Sequence, residues 1–383
     1  MKSLDGFQNG LSERWWRPEA LFEFGGGDRL LAMEGLRGVA VGLVFLQHYC
    51  AAFINLTGLD GPTRLVASAF KLFGNCGVEL FFVLSGFLIY GMLLRRRPVF
   101  LDFMRRRAER LYPAFLVALA FGILLDPLRS VPKIPDGFSE AALYLGANLA
   151  FLPGLLPIEP LFAVNWSLSY EWWFYAACTV VVGSLGAGLL PRRTRVLGIL
   201  ALGCALVGAE AAGLAHVPIR GLCLLAGMLL AEAQAARIGD VSSKLALIGV
   251  VIAFGLLTSV SVPTWLSAVI LATAFFLLTS AAFNENSAAA ALLSVKPLRW
   301  LGNMSYSFYL LHGFVVINLG HIVLTRSGPL SPESLFWLGL LPTFGMCLVV
   351  SAGLFLLVEK PFSLRRAGKH PQPTTPDPRQ SVG

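Results

Sequence analysis

The chain has 383 residues, 56% of them hydrophobic and 14% charged, with a mean hydropathy of +0.70 and a formal net charge of +8. Soluble domains carry about a quarter charged residues, so there is too little charge here to coat a water-soluble protein of this size. The same numbers exclude a disordered chain and a small disulfide scaffold. The apolar residues fall in long blocks, the pattern of a polytopic membrane protein. The basic balance reads as an orientation signal rather than as a nucleic-acid footprint.

In chain order, residues 1–29 carry Arg14, Arg17 and Arg29 with Trp15 and Trp16 and no uninterrupted apolar core. They read as a cytoplasmic N-terminal tail, not a cleavable signal peptide. A transmembrane helix needs about 20 mainly apolar residues. Ten candidates follow, at 30–56, 68–94, 111–127, 164–190, 195–214, 220–237, 244–261, 264–283, 304–324 and 335–359. The segment 140–161 is apolar but is broken by Pro153, Pro157 and Pro160 and interrupted by Asn148, so it is expected to be re-entrant or interfacial. Residues 363–383 are basic and Pro-rich, the composition of a disordered tail.

The expected fold is therefore an all-α polytopic membrane protein. About ten transmembrane helices and one re-entrant or interfacial segment make up a membrane domain at 30–362, with both termini cytoplasmic. Charge fixes that orientation. With the N-terminus inside, all of the 30 lysines and arginines fall inside except Arg64, Lys71, Arg129, Lys133, Arg220 and Arg326. A further crossing at 140–161 would put the cluster Arg192, Arg193 and Arg195 outside. The six cysteines form no CxxC pair and read as small buried hydrophobes, so neither a metal site nor a disulfide framework is expected.

Ionisable groups inside a bilayer are costly and mark sites. The first span holds Glu34, Arg37 and His48. At about 100° and 1.5 Å per residue, Arg37 and His48 lie within about 20° of one face and about 16 Å apart, with Glu34 about 40° off the same face. Arg37 thus sits near the inner interface and His48 near mid-membrane. Glu79 reaches similar depth in the second span and is expected to face the layer of His48, where a carboxylate would orient the imidazole.

The inner loop 95–112 holds seven arginines against Asp102 and Glu109. Arg107 and Arg110, three apart on one helix face and followed by Tyr112, suit the oxygens of a phosphate-bearing cytosolic ligand. Glu171 sits just inside an aromatic belt, a candidate for acceptor binding or proton transfer. His312 is a further polar candidate inside its span.

These residues stand in motifs. They are Glu34-Gly-Leu-Arg37-Gly with His48, Gly77-Val-Glu79-Leu-Phe-Phe-Val-Leu-Ser85-Gly-Phe-Leu, and Arg107-Ala-Glu-Arg110-Leu-Tyr112-Pro113. Two more are Trp166-Ser-Leu-Ser169-Tyr-Glu171 and Leu301-Gly-Asn-Met-Ser305-Tyr306-Ser-Phe-Tyr-Leu-Leu-His312. In this order and on these spans they resemble the acyltransferase-3 family of integral-membrane acyltransferases, over about 30–362. The family modifies bacterial exopolysaccharides, O-antigens, nodulation factors, periplasmic glucans and some macrolides. Glu34 and Glu79 stand where the family often has Asp, which changes reach but not charge.

The resemblance implies transfer of an acyl group, usually acetyl, from cytosolic acyl-CoA to a hydroxyl of a glycan or glycolipid acceptor at the bacterial inner membrane. It links Arg37 and His48 to activity, and Arg107 and Arg110 to the CoA side. The expected catalytic set is His48, as general base, with Arg37, Glu34, Glu79 and Glu171. Arg107, Arg110, Arg37 and Tyr112 are expected to bind the acyl-CoA donor, and Trp166, Ser169, Tyr306 and His312 the acceptor, with no metal. Direct attack and an acyl-histidine relay both fit. A glycan or lipid transporter, or acylation of a small secondary metabolite, is the alternative. The chain's end soon after the tenth span implies that no extracytoplasmic esterase-like domain follows.

Overall fold

The computed structural model describes residues 21–22, 31–128, 132–238, 241–259, 261–326 and 330–364. Apart from Leu21, Phe22, Ser363 and Leu364, the tails expected at 1–29 and 363–383 lie outside the described residues. Every extended regular element among the described residues is a helix, and the one β-bridge, Pro153 to Leu156, is isolated. In chain order these are α1 (Leu31–Thr57), α2 (Gly61–Asn75), α3 (Gly77–Arg96), α4 (Phe100–Leu125), α5 (Phe138–Leu149), α6 (Asn165–Cys178) and α7 (Arg192–Ala211). Then come α8 (Leu222–Ala235), α9 (Ser243–Ser259), α10 (Thr264–Ala282), α11 (Ala288–Leu293), α12 (Lys296–Asn303), α13 (Ser305–Arg326) and α14 (Pro332–Leu354). Two stretches of π-helix extend α6 over Thr179–Ser184 and α14 over Phe355–Leu364.

Among the described residues six helices are long and apolar enough to cross a membrane: Leu31–Thr57, Gly61–Arg96, Phe100–Leu125, Arg192–Ala211, Thr264–Ala282 and Pro332–Phe362. The second is α2 and α3 together, interrupted only at Cys76. The other four expected spans are helical but different in form. α6 gives way to π-helix after 14 residues, α8 and α9 have 14 and 17 residues, and α13 has 22 and carries Ser305, Ser307 and His312 in its first half. A 14-residue helix rises only about 21 Å, short of a hydrocarbon core of about 30 Å.

The expected break at 140–161 is present. α5 has 12 residues, and the irregular chain after it is packed inward, with Phe151, Leu161 and Phe162 buried. Asn148 holds that return in place. It is fully buried, and its side-chain oxygen accepts from Leu161 N at 2.9 Å and from Asn165 Nδ2 at 2.7 Å. The residue that interrupts the apolar run is therefore the one that ties α5 to the start of α6.

α1 is the axis of the bundle and packs against α2, α3, α12 and α13. Its inward stripe, Leu36, Ala40, Val41, Val44, Phe45 and Tyr49, is almost completely buried. Apolar side chains such as Leu124, Leu247, Val251, Leu341 and Val349 stay exposed on the periphery, as a lipid-facing surface requires. Helices in lipid gain little from apolar contact alone and associate where small residues allow close approach. At the α3–α8 crossing a Cβ on Gly86 would lie 2.1 Å from Leu224 O, and one on Gly227 would lie 2.1 Å from Val83 O. At the contact of α1 with α11 a Cβ on Gly35 would meet Leu293 O at 1.7 Å, and at the α1–α12 crossing one on Gly302 would meet Glu34 O at 1.7 Å. Five of the six cysteines are buried and Cys204 is exposed; all are free.

Candidate functional site

Two cavities lie inside the bundle, and the sequence explains why they differ. The larger, about 410 Å³, is lined by Arg37 from α1, by Ser85, Met92, Arg95 and Arg96 from α3, and by Arg107 and Arg110 from α4. Glu171 and Tyr175 from α6 and Ser305, Tyr306 and Tyr309 from α13 complete its polar lining. The arginine-rich junction between α3 and α4 supplies four of these residues. α3 ends at Arg97, whose φ of 39° is the left-handed cap that stops a helix, with Pro98 next. The chain then turns back, so the end of α3 and the start of α4 present their arginines to one space.

The cationic groups here are held by aromatic and polar neighbours. The Arg107 guanidinium lies 5.1 Å from the centre of the Phe103 ring and 5.4 Å from that of Tyr175, a cation–π arrangement. Arg37 donates to Ser305 Oγ at 3.2 Å. Among the described residues no hydrogen bond or ion pair holds the Arg110 side chain, so its donors are free for an anionic ligand. Glu171 Oε1 accepts from Ser85 Oγ at 2.8 Å and also from the Tyr175 hydroxyl. One carboxylate thus sits in a predominantly cationic cavity.

The second cavity, about 210 Å³, is lined by Val44, Gln47 and His48 from α1, Gly74 and Asn75 at the end of α2, Val78 from α3, and Ala163, Trp166, Arg220 and Tyr309. Arg220 is held from two sides. It pairs with Glu79 at 3.0 Å, and its guanidinium lies 4.8 Å from the centre of the Trp166 ring. The other oxygen of Glu79 is buried without a hydrogen-bond partner among the described residues. Val78 and Tyr309 line both cavities, so these two side chains are the partition between them. Ser167 Oγ donates to Val164 O at 3.0 Å, which leaves it to accept from the Tyr309 hydroxyl at 2.5 Å.

The sequence-predicted residues separate accordingly. Arg37, Arg107, Arg110, Glu171 and Tyr306 line the arginine cavity; His48 and Trp166 line the other. Glu171, a candidate for acceptor binding or proton transfer, lies with the arginines. Glu79 was expected against His48 and instead pairs with Arg220. Glu34 lines neither cavity: Arg299 reaches it at 3.0 Å and Asn303 at 3.4 Å, tying α1 to α12. Tyr112 donates to Leu149 O at 2.9 Å, and Ser169 to Asn165 O at 3.2 Å, both away from the cavities.

His312 is fully buried and lines neither cavity; its Nε2 lies 3.2 Å from His48 Nδ1. Sequence reasoning did not single out Arg95, Arg96, Ser85, Tyr175, Tyr309, Arg220, Gln47 or Asn75 as site residues. Two spacing signals were available. Tyr175 follows Glu171 by four, one helical turn, and Tyr309 precedes His312 by three.

The "Acyltransferase domain" model of the acyltransferase-3 family matches residues 30–356. The chain is similar to "O-acetyltransferase OatA" of Staphylococcus aureus, 27% identical over 324 residues, which is 75% of this chain and 51% of that protein. It is similar to "Acyltransferase MdmB" of Streptomyces mycarofaciens, 26% identical over 390 residues, covering 91% of this chain and 96% of that one. It is also similar to "Exopolysaccharide production protein ExoZ" of Rhizobium meliloti, 33% identical over 141 residues, 35% of this chain and 40% of that protein. The chain thus spans about half the length of the OatA proteins it matches. No solved structure matches it.

Proposed function

This chain belongs to the acyltransferase-3 family, and we propose that it moves an acyl group, acetyl in the simplest case, from cytosolic acyl-CoA to a hydroxyl of a cell-envelope or secreted glycan. The observation that carries this reading is the pair of cavities, one ringed by arginines and one holding His48, meeting at Val78 and Tyr309. The ten-span topology with both termini in the cytosol belongs to this proposal, as does the assignment of 30–362 as the membrane domain between two tails. The arginine cavity then opens to the cytosol, and the histidine cavity faces the far side of a bacterial inner membrane.

Arg107 and Arg110 would hold the phosphates of the donor, since guanidinium donors fit phosphate oxygens in a fork. Arg37 would guide the thioester end toward the partition. On the other side Trp166, Arg220, Gln47 and Asn75 combine an aromatic face with fixed polar groups, a lining that suits a hydroxyl-rich acceptor. The name of the ExoZ relative, which refers to exopolysaccharide production, supports a glycan.

A hydroxyl is a poor nucleophile until a base takes its proton, and a neutral imidazole is suited to that near pH 7. In this reading His48 takes the acceptor's hydroxyl proton while the oxygen attacks the thioester carbonyl. The new C–O bond forms, the C–S bond breaks, and the proton passes to the departing thiolate. The acyl carbon must reach the Val78–Tyr309 partition for this to occur.

The test is acceptor-dependent release of CoA by the protein in proteoliposomes, with acetyl-CoA inside and candidate glycans outside. Acetylated glycan and stoichiometric free CoA are expected, both lost in His48→Ala. Glycan flux across the membrane without CoA release would replace this reading with a transporter.

A further inference from the structure

The contacts of two histidines fix where their hydrogens sit. His48 Nδ1 lies 3.0 Å from Val44 O. A carbonyl oxygen only accepts, so that nitrogen carries the hydrogen. His312 Nδ1 lies 3.1 Å from Phe308 O, so it too carries one. His312 Nε2 stands 3.2 Å from His48 Nδ1. With a hydrogen on each Nδ1, His312 Nε2 is left bare, and the single hydrogen on His48 Nδ1 is shared between Val44 O and His312 Nε2. A second hydrogen on His312 would set two N–H groups against each other. The hydrogen positions follow from the neighbours, and the neighbours admit one consistent set.

His48 Nε2 is then the ring nitrogen with the free lone pair, and it has no partner among the described residues. His48 lines the smaller cavity, whereas His312 is fully buried and lines neither. The two rings meet nearly edge to face, with centroids 4.8 Å apart and planes at 74°, while His312 lies parallel to the Phe308 ring at 6.0 Å. His312 is therefore fixed by its own helix and by Phe308, and it holds the ring it touches.

We propose that His312 is a positioning residue that, together with Val44 O, holds His48 in the Nδ1–H tautomer, so that Nε2 is the nitrogen presented to the acceptor hydroxyl. This rests on the reading of His48 as the general base. When Nε2 takes the proton, the hydrogen bond from Nδ1–H to His312 Nε2 becomes charge-assisted and shorter. In serine hydrolases a buried carboxylate fills this orienting place. Here the acceptor is a neutral imidazole, which orients the ring without adding a second buried charge to the bundle.

The test compares His312→Leu with His312→Gln in the full chain, reconstituted in proteoliposomes. A glutamine amide oxygen lies near the place of Nε2 and accepts the same hydrogen; leucine accepts none. His312→Leu is expected to lower kcat by about 100-fold, the lower range of what a positioned base contributes, with KM for acetyl-CoA unchanged. His312→Gln is expected to recover at least tenfold of that. Equal kcat in His312→Leu and wild type, or a glutamine variant no better than leucine, overturns the proposal.

A second readout does not depend on turnover: ¹⁵N-histidine NMR of the protein in bilayers, with the His48 signals identified by their loss in His48→Ala. The Nδ1–H tautomer at His48 in wild type, and a smaller Nδ1–H fraction in His312→Leu, where Val44 O alone accepts that hydrogen, is expected. An Nε2–H tautomer in wild type overturns the lock. Should His48→Ala retain full transfer, the base reading fails while the NMR result still decides the tautomer lock.

Discussion

The two cavities are built from neighbouring stretches of the same helices, yet their chemistry is opposite in kind. The larger gathers five arginines around one carboxylate, with the Arg107 guanidinium backed by aromatic rings, Arg37 held by Ser305 and, among the described residues, Arg110 left open. The smaller holds one arginine, already engaged by Glu79 and Trp166, and a histidine whose second ring nitrogen is without a partner among the described residues. The first is suited to holding an anion, and the second to taking a proton from a neutral hydroxyl. The comparison teaches that the arginine-rich space and the space holding His48 are separate, with Val78 and Tyr309 as the shared wall.

The sharpest way to break this comparison is at His48. His48→Ala is expected to lower acyl transfer by about 10²- to 10⁴-fold, with KM for acyl-CoA nearly unchanged, measured as acetylated acceptor formed in proteoliposomes. A rise in KM with kcat intact would move His48 to the binding side. The complementary substitution, Arg107→Ala with Arg110→Ala, is expected to raise KM for acyl-CoA by about 10²- to 10⁴-fold, since hydrogen bonds to charged groups contribute about 1.5–3 kcal/mol each. The same pair should leave acyl-pantetheine, which lacks the phosphates, little affected. Steady-state kinetics with the two donors checks this.

Smaller effects probe the wall and the acceptor side. Tyr309→Ala removes half of the partition and is expected to raise acceptor-independent hydrolysis of acetyl-CoA a fewfold, read as free CoA released without glycan. Arg220→Lys keeps the charge but loses the planar group that faces Trp166 and Glu79. A fewfold rise in acceptor KM with donor KM unchanged is expected from initial rates at varied glycan. A change in donor KM instead would remove the distinction between the two cavities.

Much of this is legible in the sequence. Charge and hydropathy required a helical membrane protein, and the prolines with Asn148 marked the one broken segment. The 11-residue spacing brought Arg37 and His48 onto one helix face, and each now lines a cavity. Other readings needed the fold. Glu171 stood out for its aromatic neighbours as a candidate for acceptor binding or proton transfer, but one helix viewed alone does not reveal that Ser85 of α3 and the arginines of α4 face it. Glu79 lies at the depth of His48 along its own helix, but it pairs with Arg220, brought from 141 residues further along the chain. Glu34 shares the face of Arg37 and is taken up by Arg299 in packing α12 onto α1.

The sequence by itself determined the solvent this protein lives in, its helical class and which helix carries the polar stripe. These follow from residue type and from a period of 3.6, which are local properties. Which charged groups meet, which histidine nitrogen carries a hydrogen, and where one cavity ends and the next begins were decided only by tertiary structure. Those depend on how closely backbones approach at crossings such as Gly35–Leu293 and Gly86–Leu224, and on pairs of residues far apart in the chain, such as Arg37 and Ser305, 268 positions apart. No local period encodes such pairings, because they exist only once the helices have packed.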